Sequence, residues 1–295
     1  MTSMNFEPIQ LTRGQAVRKW IKDHNPPWIA LTILFLLLFC GLFANFIVGD
    51  PMTNDLKARQ IPPFTDIKHI FGTDILGKDM TARLVFGCRS VLMVTAPSII
   101  VALLIGTAVG LLAGYARGWV DSVLMRITDA TLGFPSILVA MLIVTFVGTG
   151  YTGVIIAVTA TTWARFARMI RGEVLSVRER DFVVLAGILG VSPVMIMWRH
   201  LMPNVINTLM VMISLMIGQV ILLEASLSFL GIGMSPGEPA WGIMVAEGRQ
   251  QLLTTWWVSL FPGILITLVV MAFNFFGDWL RDYLDPRLRL SLIHI

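Results

Sequence analysis

The sequence predicts an all-α integral membrane protein with six transmembrane helices. Three observations carry that prediction. Of 295 residues, 56% are hydrophobic and only 14% charged; the mean hydropathy is +0.79; and apolar runs of spanning length recur along the chain. A soluble domain of this composition would have to cover its wet surface with Leu, Ile, Val and Met. A bilayer core about 30 Å thick needs roughly 20 apolar residues in a helix, and the runs are read against that length.

Residues 1–27 form an N-terminal segment, followed by the first span, Trp28 to Val48. This span is too long for a signal peptide and lacks a small-residue cleavage site, so a retained anchor is expected. Asp50 to Arg89 then form an external segment. Within it "GTDILGKD", Gly72 to Asp79, nearly matches a phosphate-binding loop. Asp79 stands where a hydroxyl would hold magnesium and no apolar strand precedes, so a Gly- and Asp-rich turn leading into an interfacial helix is expected instead. The second span is Val91 to Tyr115, with Gly106, Gly110 and Gly114 at every fourth position making a smooth face for close helix packing.

Val123 to Val147 reads as the third span. Gly153 to Met169, the fourth, is shorter and runs into "WARFARMIRGE", where Arg165, Arg168 and Arg171 recur every third residue. These arginines are expected to snorkel toward the membrane surface. Val205 to Leu230 and Trp256 to Phe276 complete the six spans, and residues 281–295 form a C-terminal tail ending in "SLIHI", which matches no partner pattern.

The positive-inside rule favours a cytoplasmic N-terminus. Arg13, Arg18, Lys19, Lys22, Arg117, Arg126, Arg165, Arg168, Arg171, Arg178, Arg180, Arg199, Arg281, Arg287 and Arg289 then fall inside, although Lys57, Arg59, Lys68, Lys78, Arg83 and Arg89 share the first external segment. Both termini are therefore expected in the cytoplasm. Trp119, Trp241, Trp256, Trp257 and Trp279 lie near span boundaries, where an aromatic belt is expected. The net charge of +4 is explained by orientation, so no nucleic-acid partner is predicted. Cys40 and Cys88 have no partner spacing, and His24, His69, His200 and His294 form no ligand pair, so no metal site is predicted.

Between spans four and five, on the predicted cytoplasmic side, lies "DFVVLAGILGVSPVMIMWRHLMPN", Asp181 to Asn204, apolar but too interrupted to cross a membrane. Phe182, Leu185 and Leu189 share one helical stripe, Gly190 can turn the chain, and Ser192 with Pro193 can cap a second short helix ending before Pro203. Two short helices with apolar faces need cover. The lipid headgroup layer and a groove on a soluble partner are both open to them. In span five, Glu224 costs roughly 2.5–3.5 kcal/mol if placed near a membrane centre, so it should meet protein or water. With Gln219 a little over one turn before it, it either lines a gate or bonds an opposite chain, or else sits solvated at the outer edge; Asn274 in span six has a similar ambiguity.

The Asp181–Asn204 segment resembles the "EAA" loop of permease subunits of binding-protein-dependent ABC importers. Ala186, Gly190 and Pro203 stand at the pattern's positions, while Val184 replaces its Glu, His200 its Ile and Met202 its Leu. "FGTDILGKDMTARLVFGCRSVL", "ILLEASLSFLGIG", "PAWGIMVAEGR" and "FNFFGDWLRDYLDPRLR" are similar to the dipeptide/oligopeptide branch.

The resemblance implies a C-type chain with the type I importer permease fold over residues 28–280, its cytoplasmic helix-turn-helix coupling loop at about 172–204. It implies a second homologous permease, two ATPase subunits, and an extracytoplasmic binding protein, in a bacterial or archaeal cytoplasmic membrane. The chain would be no enzyme and hold no cofactor, ATP and Mg²⁺ being bound by the ATPases. Asp181, Leu185, Ala186, Leu189, Gly190, Met195, Met197, Trp198 and Pro203 would form the coupling element, and Gln219, Glu224 and Asn274 the pathway or gate. Arg178, Arg180 and Arg199 would either pair with acids on an ATPase or simply orient the chain. Solutes of such importers include dipeptides, longer peptides, nickel chelates, glutathione and opine-like compounds, and no motif here chooses among them.

A self-sufficient transporter would need coupling charges inside the bundle and an inverted repeat. A membrane enzyme would need a convergent catalytic cluster. Neither is visible in the sequence.

Overall fold

The computed structural model describes residues 25–284, so the expectations for residues 1–24 and 285–295 fall outside the described residues. Among the described residues the chain is helical, with one isolated β-bridge, Thr73 to Asp79. The helices are α1 (Trp28–Ile47), α2 (Met80–Ala116), α3 (Gly118–Gly133), α4 (Ser136–Val147), α5 (Tyr151–Arg178), α6 (Asp181–Ile188), α7 (Pro193–Met195), α8 (Met202–Phe229), α9 (Trp241–Gly248) and α10 (Trp257–Leu284). A π-helical turn, Ile196–Leu201, joins α7 to α8.

Four of these stretches are long and apolar enough to cross a membrane: α1, α2, the continuous Pro193–Phe229 run and α10; the bent pair α3–α4 makes a fifth if counted as one span. The helix bearing the predicted fourth span, α5, has 28 residues and is not apolar enough to be counted with them. It is nonetheless the centre of the larger core. Val154, Ala157, Val158, Ala164, Phe166 and Ala167 are fully buried along it. A helix wrapped by protein needs less apolar surface than one wrapped by lipid, because its polar positions can find partners.

Close packing of α2 on α5 rests on the predicted glycine face. A Cβ on Gly106 would lie 2.5 Å from the Phe166 Cβ and 2.6 Å from the Trp163 carbonyl; on Gly110, 2.7 Å from the Ala167 carbonyl; on Gly114, 2.7 Å from Val174. The two backbones touch where any side chain would hold them apart.

Four expectations are corrected by the fold. The third span is not one helix: α3 and α4 meet at 92°. Pro135 excludes the helical region for the residue before it, and Phe134 accordingly takes φ −99°, ψ 146°. The arginines of α5 do not all snorkel. Arg171 bonds Asp121 through Nε at 2.5 Å and Nη2 at 2.7 Å, and Arg168 bonds Asp129, so α3 is tied to α5 by two ion pairs.

The third correction concerns the entry to α2. No separate interfacial helix precedes span two; α2 is continuous over 37 residues, about 55 Å at 1.5 Å per residue. Asp79 caps it, its carboxylate accepting from the N–H groups of Thr81 and Ala82. The near-phosphate loop before it folds as the expected turn, with Asp74 Oδ1 accepting from the backbone of Leu76 and Lys78.

A smaller core joins α1, α2, α8, α9 and α10 around Leu37, Met80, Ile221, Trp241 and Met244. Trp241 corrects the belt reading: it is 1% exposed, and its indole N–H donates to the Leu84 carbonyl at 3.0 Å. Trp257 is buried likewise, donating to the Thr73 carbonyl. Trp119 and Trp256 are exposed.

Candidate functional site

Two features stand out. The first is the Asp181–Leu201 projection. Its opening helix α6 has the acidic Asp181 in its first turn, where a carboxylate favours the positive end of the helix. The helix ends in a two-bond turn: the Gly190 N–H bonds the Gly187 carbonyl and the Val191 N–H bonds the Ala186 carbonyl. Gly190 has φ +77°, which glycine adopts without penalty. Nothing lies within 4 Å of where its Cβ would be, so the glycine is required here by backbone conformation and not by a close neighbour in the chain itself.

Ser192 then accepts from the Met195 N–H and Pro193 begins α7, as the sequence predicts. The second short helix does not end before Pro203. Through the π turn it runs into α8, with Pro203 in the first turn of that helix and the Asn204 side-chain amide donating to the His200 carbonyl. That bond supplies a side-chain donor beside the N–H that proline lacks.

The projection has two faces. Val183, Ala186, Ile196 and Leu201 are buried against the main core, and Met197 packs partly there too. Leu185, Ile188, Leu189, Met195 and Trp198 point away, with Ile188 75%, Leu189 81% and Trp198 67% exposed. Of the residues singled out for coupling, Leu185, Leu189, Met195 and Trp198 are therefore exposed, while Ala186 and Met197 pack inward. Next to the projection, Arg178 donates to the carbonyls of Gly114 and Tyr115 and lies 5.5 Å over the Tyr115 ring, and Arg117 pairs with Glu179. The start of the projection is thus fastened to the end of α2.

The second feature is a polar cavity of about 260 Å³ between α4, α5 and α8. Ser136, Thr161, Thr162, Arg165, Gln219 and Ser226 give it its polar lining, and Arg165 donates to the Gln219 side-chain carbonyl. The other two pathway candidates lie elsewhere. Glu224 is 2% exposed and accepts from the Ser228 hydroxyl at 2.8 Å, and that hydroxyl accepts from the Met234 N–H. A solvated position at the membrane edge is thereby overturned. Asn274 is exposed on α10, with its Oδ1 beside Gly218 of α8.

Sequence reasoning missed a third cluster. Arg83, 1% exposed, bonds Asp74 at 2.9 Å and Glu247 at 2.5 Å, joining the turn before α2 to α9. The spacing of Asp74 and Arg83 was visible, but Glu247 is brought in by the return of α9, which no local pattern announces. Among the described residues, no group of three or more His, Cys, Asp or Glu could hold a metal ion.

The chain is similar over nearly its whole length to known transport proteins. A Brucella abortus chain named for a peptide transport system permease is 36% identical over 292 residues, covering 99% of this chain and 96% of that one. The glutathione transport system permease protein GsiD of Pectobacterium atrosepticum is 36% identical over 272 residues, 92% of this chain and 90% of its own. The dipeptide transport system permease protein DppC of Alkalihalophilus pseudofirmus is 36% identical over 273 residues, 92% and 89%. Residues 106–290 match the family model of the binding-protein-dependent transport system inner membrane component. With its helices, its apolar spans and this match, the chain belongs to that family, the permease subunits of ABC importers.

Proposed function

We propose that this chain spans the membrane six times, with both termini in the cytoplasm, and forms half of the pathway for a peptide or similar small solute. The six spans are α1, α2, the bent α3–α4 pair, α5, α8 and α10. A second homologous permease supplies the other half, an external binding protein delivers the solute, and two ATPase subunits bind ATP with Mg²⁺. The names of the relatives support a peptide-like cargo. The chain itself performs no hydrolysis.

One observation carries the mechanical part of this reading. The exposed apolar face of Leu185, Ile188, Leu189, Met195 and Trp198 sits on a projection that continues without a break into the membrane helix α8. Such a face fits a groove on a partner, and an aromatic residue flanked by aliphatic ones is the composition of an interface anchor. When ATP binding draws the two ATPases together, a projection seated in one of them moves with it. Its rigid attachment then tilts α8 and, through Arg178 and Arg117, the end of α2.

Purification of the whole complex tests this. Leu189→Asp combined with Trp198→Asp should lower recovery of the ATPase subunits roughly tenfold or more, while the second permease still co-purifies. Undiminished recovery of the ATPases would overturn the assignment of this face.

A further inference from the structure

The polar cavity has one sign of charge. Arg165 is the cation in its lining, and neither Asp nor Glu lines it. Arg168 and Arg171, the next two arginines on α5, are both bonded to carboxylates of α3. Arg165 has no such partner among the described residues; it donates to the neutral side chain of Gln219. It lies about midway along α5, roughly 20 Å from either end, and is half-buried among the helices that enclose the cavity. A half-buried guanidinium without a carboxylate partner is suited to receive an anion.

Two further observations point to what the arginine awaits. Thr162 is 3% exposed and lines the cavity, and its hydroxyl has no hydrogen-bond partner among the described residues. The helix α4 begins at the cavity wall, with Ser136 and Ile137 both lining it. No side chain caps that end, and its first turn contains no acid. The 92° break at Phe134–Pro135 is what turns this end toward α5 and α8 instead of leaving it inside a continuous span. The positive end of a 12-residue helix, a guanidinium and a free hydroxyl therefore converge on one space, all suited to an anion.

We infer that this cavity is a carboxylate-binding station on the translocation path, taking the free carboxylate of a passing peptide or amino-acid-like solute. Arg165 supplies the charge, the amides of Ser136 and Ile137 and the Thr162 hydroxyl supply neutral donors, and Gln219 holds the guanidinium in place while the site is empty. At about 260 Å³ the space admits a carboxylate with one residue beside it, and the remainder of a longer solute extends into the path. The inference rests on the permease reading above and narrows its cargo to solutes bearing a negative group.

Arginine-directed labelling of the purified complex, containing both permeases and both ATPases, tests it. Phenylglyoxal modification of Arg165 is followed by mass spectrometry, with alanylalanine or alanylalanine amide present. The free acid should slow labelling of Arg165 roughly tenfold at saturation, the amide should not, and Arg168 should be unaffected by either. Thr162→Val, which removes a hydroxyl at nearly constant volume, should raise the concentration of alanylalanine needed. Equal protection by acid and amide, or protection by neither, overturns the station. A partner carboxylate already on Arg165 would show as slow labelling that peptide does not change, which also overturns it. Failure of ATPases to co-purify with the wild-type chain would instead defeat the permease reading, and is seen before any label is added.

Discussion

Gly190 shows how one residue can carry both a legible and an illegible part. Its place after an apolar stripe announces a helix-ending turn, and the turn is there with φ +77°. A Cβ there would meet nothing within 4 Å, a fact set by neighbours that the local pattern does not describe. The cost of Gly190→Ala is therefore backbone strain alone, about 1–2 kcal/mol, and Gly190→Asn should cost less because asparagine tolerates the left-handed region. Thermal unfolding in detergent should rank wild type, Asn, Ala in falling stability. Glu224 is a second case. Its burial as an acid was foreseeable only as one of two readings, since the covering segment from Gly231 to Met234 arrives after the helix ends. Glu224→Gln keeps an acceptor for Ser228 and should leave stability nearly unchanged, whereas Glu224→Leu leaves the Ser228 hydroxyl without that acceptor and should cost about 1–3 kcal/mol in the same unfolding measurement.

At the scale of elements, the boundaries set by caps and breakers were readable: Ser192–Pro193 opens a helix, Gly190 closes one, and the stripe of Gly106, Gly110 and Gly114 marks a contact. The division of the third span was not read, although Pro135 stands in it, because the apolar run continues through the proline and hydropathy cannot tell a kinked span from two helices at right angles. Likewise, arginines at every third position of α5 look like a surface row until α3 places Asp121 and Asp129 against them. The Arg171–Asp121 pair is two-pronged and partly buried, which makes it the stronger of the two ties. A double-mutant cycle with Arg171→Ala and Asp121→Ala should give a coupling of about 1 kcal/mol, and the corresponding Arg168–Asp129 cycle, at an exposed site, less.

For the molecule as a whole, the apolar spans and family were accessible from composition and motifs, because a bilayer imposes length and hydropathy on each crossing. What was hidden is how the pieces share load: the cluster of Asp74, Arg83 and Glu247, the buried Trp241, and the unbroken run from Pro193 to Phe229. That run makes a global prediction. Inserting a short Gly-Ser linker between Leu201 and Met202 should leave the complex assembled but separate motor from path, so that proteoliposomes hydrolyse ATP while uptake falls to background. The glycine contact between α2 and α5 has a consequence for how such a machine can open. With main chain lying on main chain, there is no cushion of side chains to shear, so these two helices must swing as a single stave, and any gap admitting cargo has to appear along another seam.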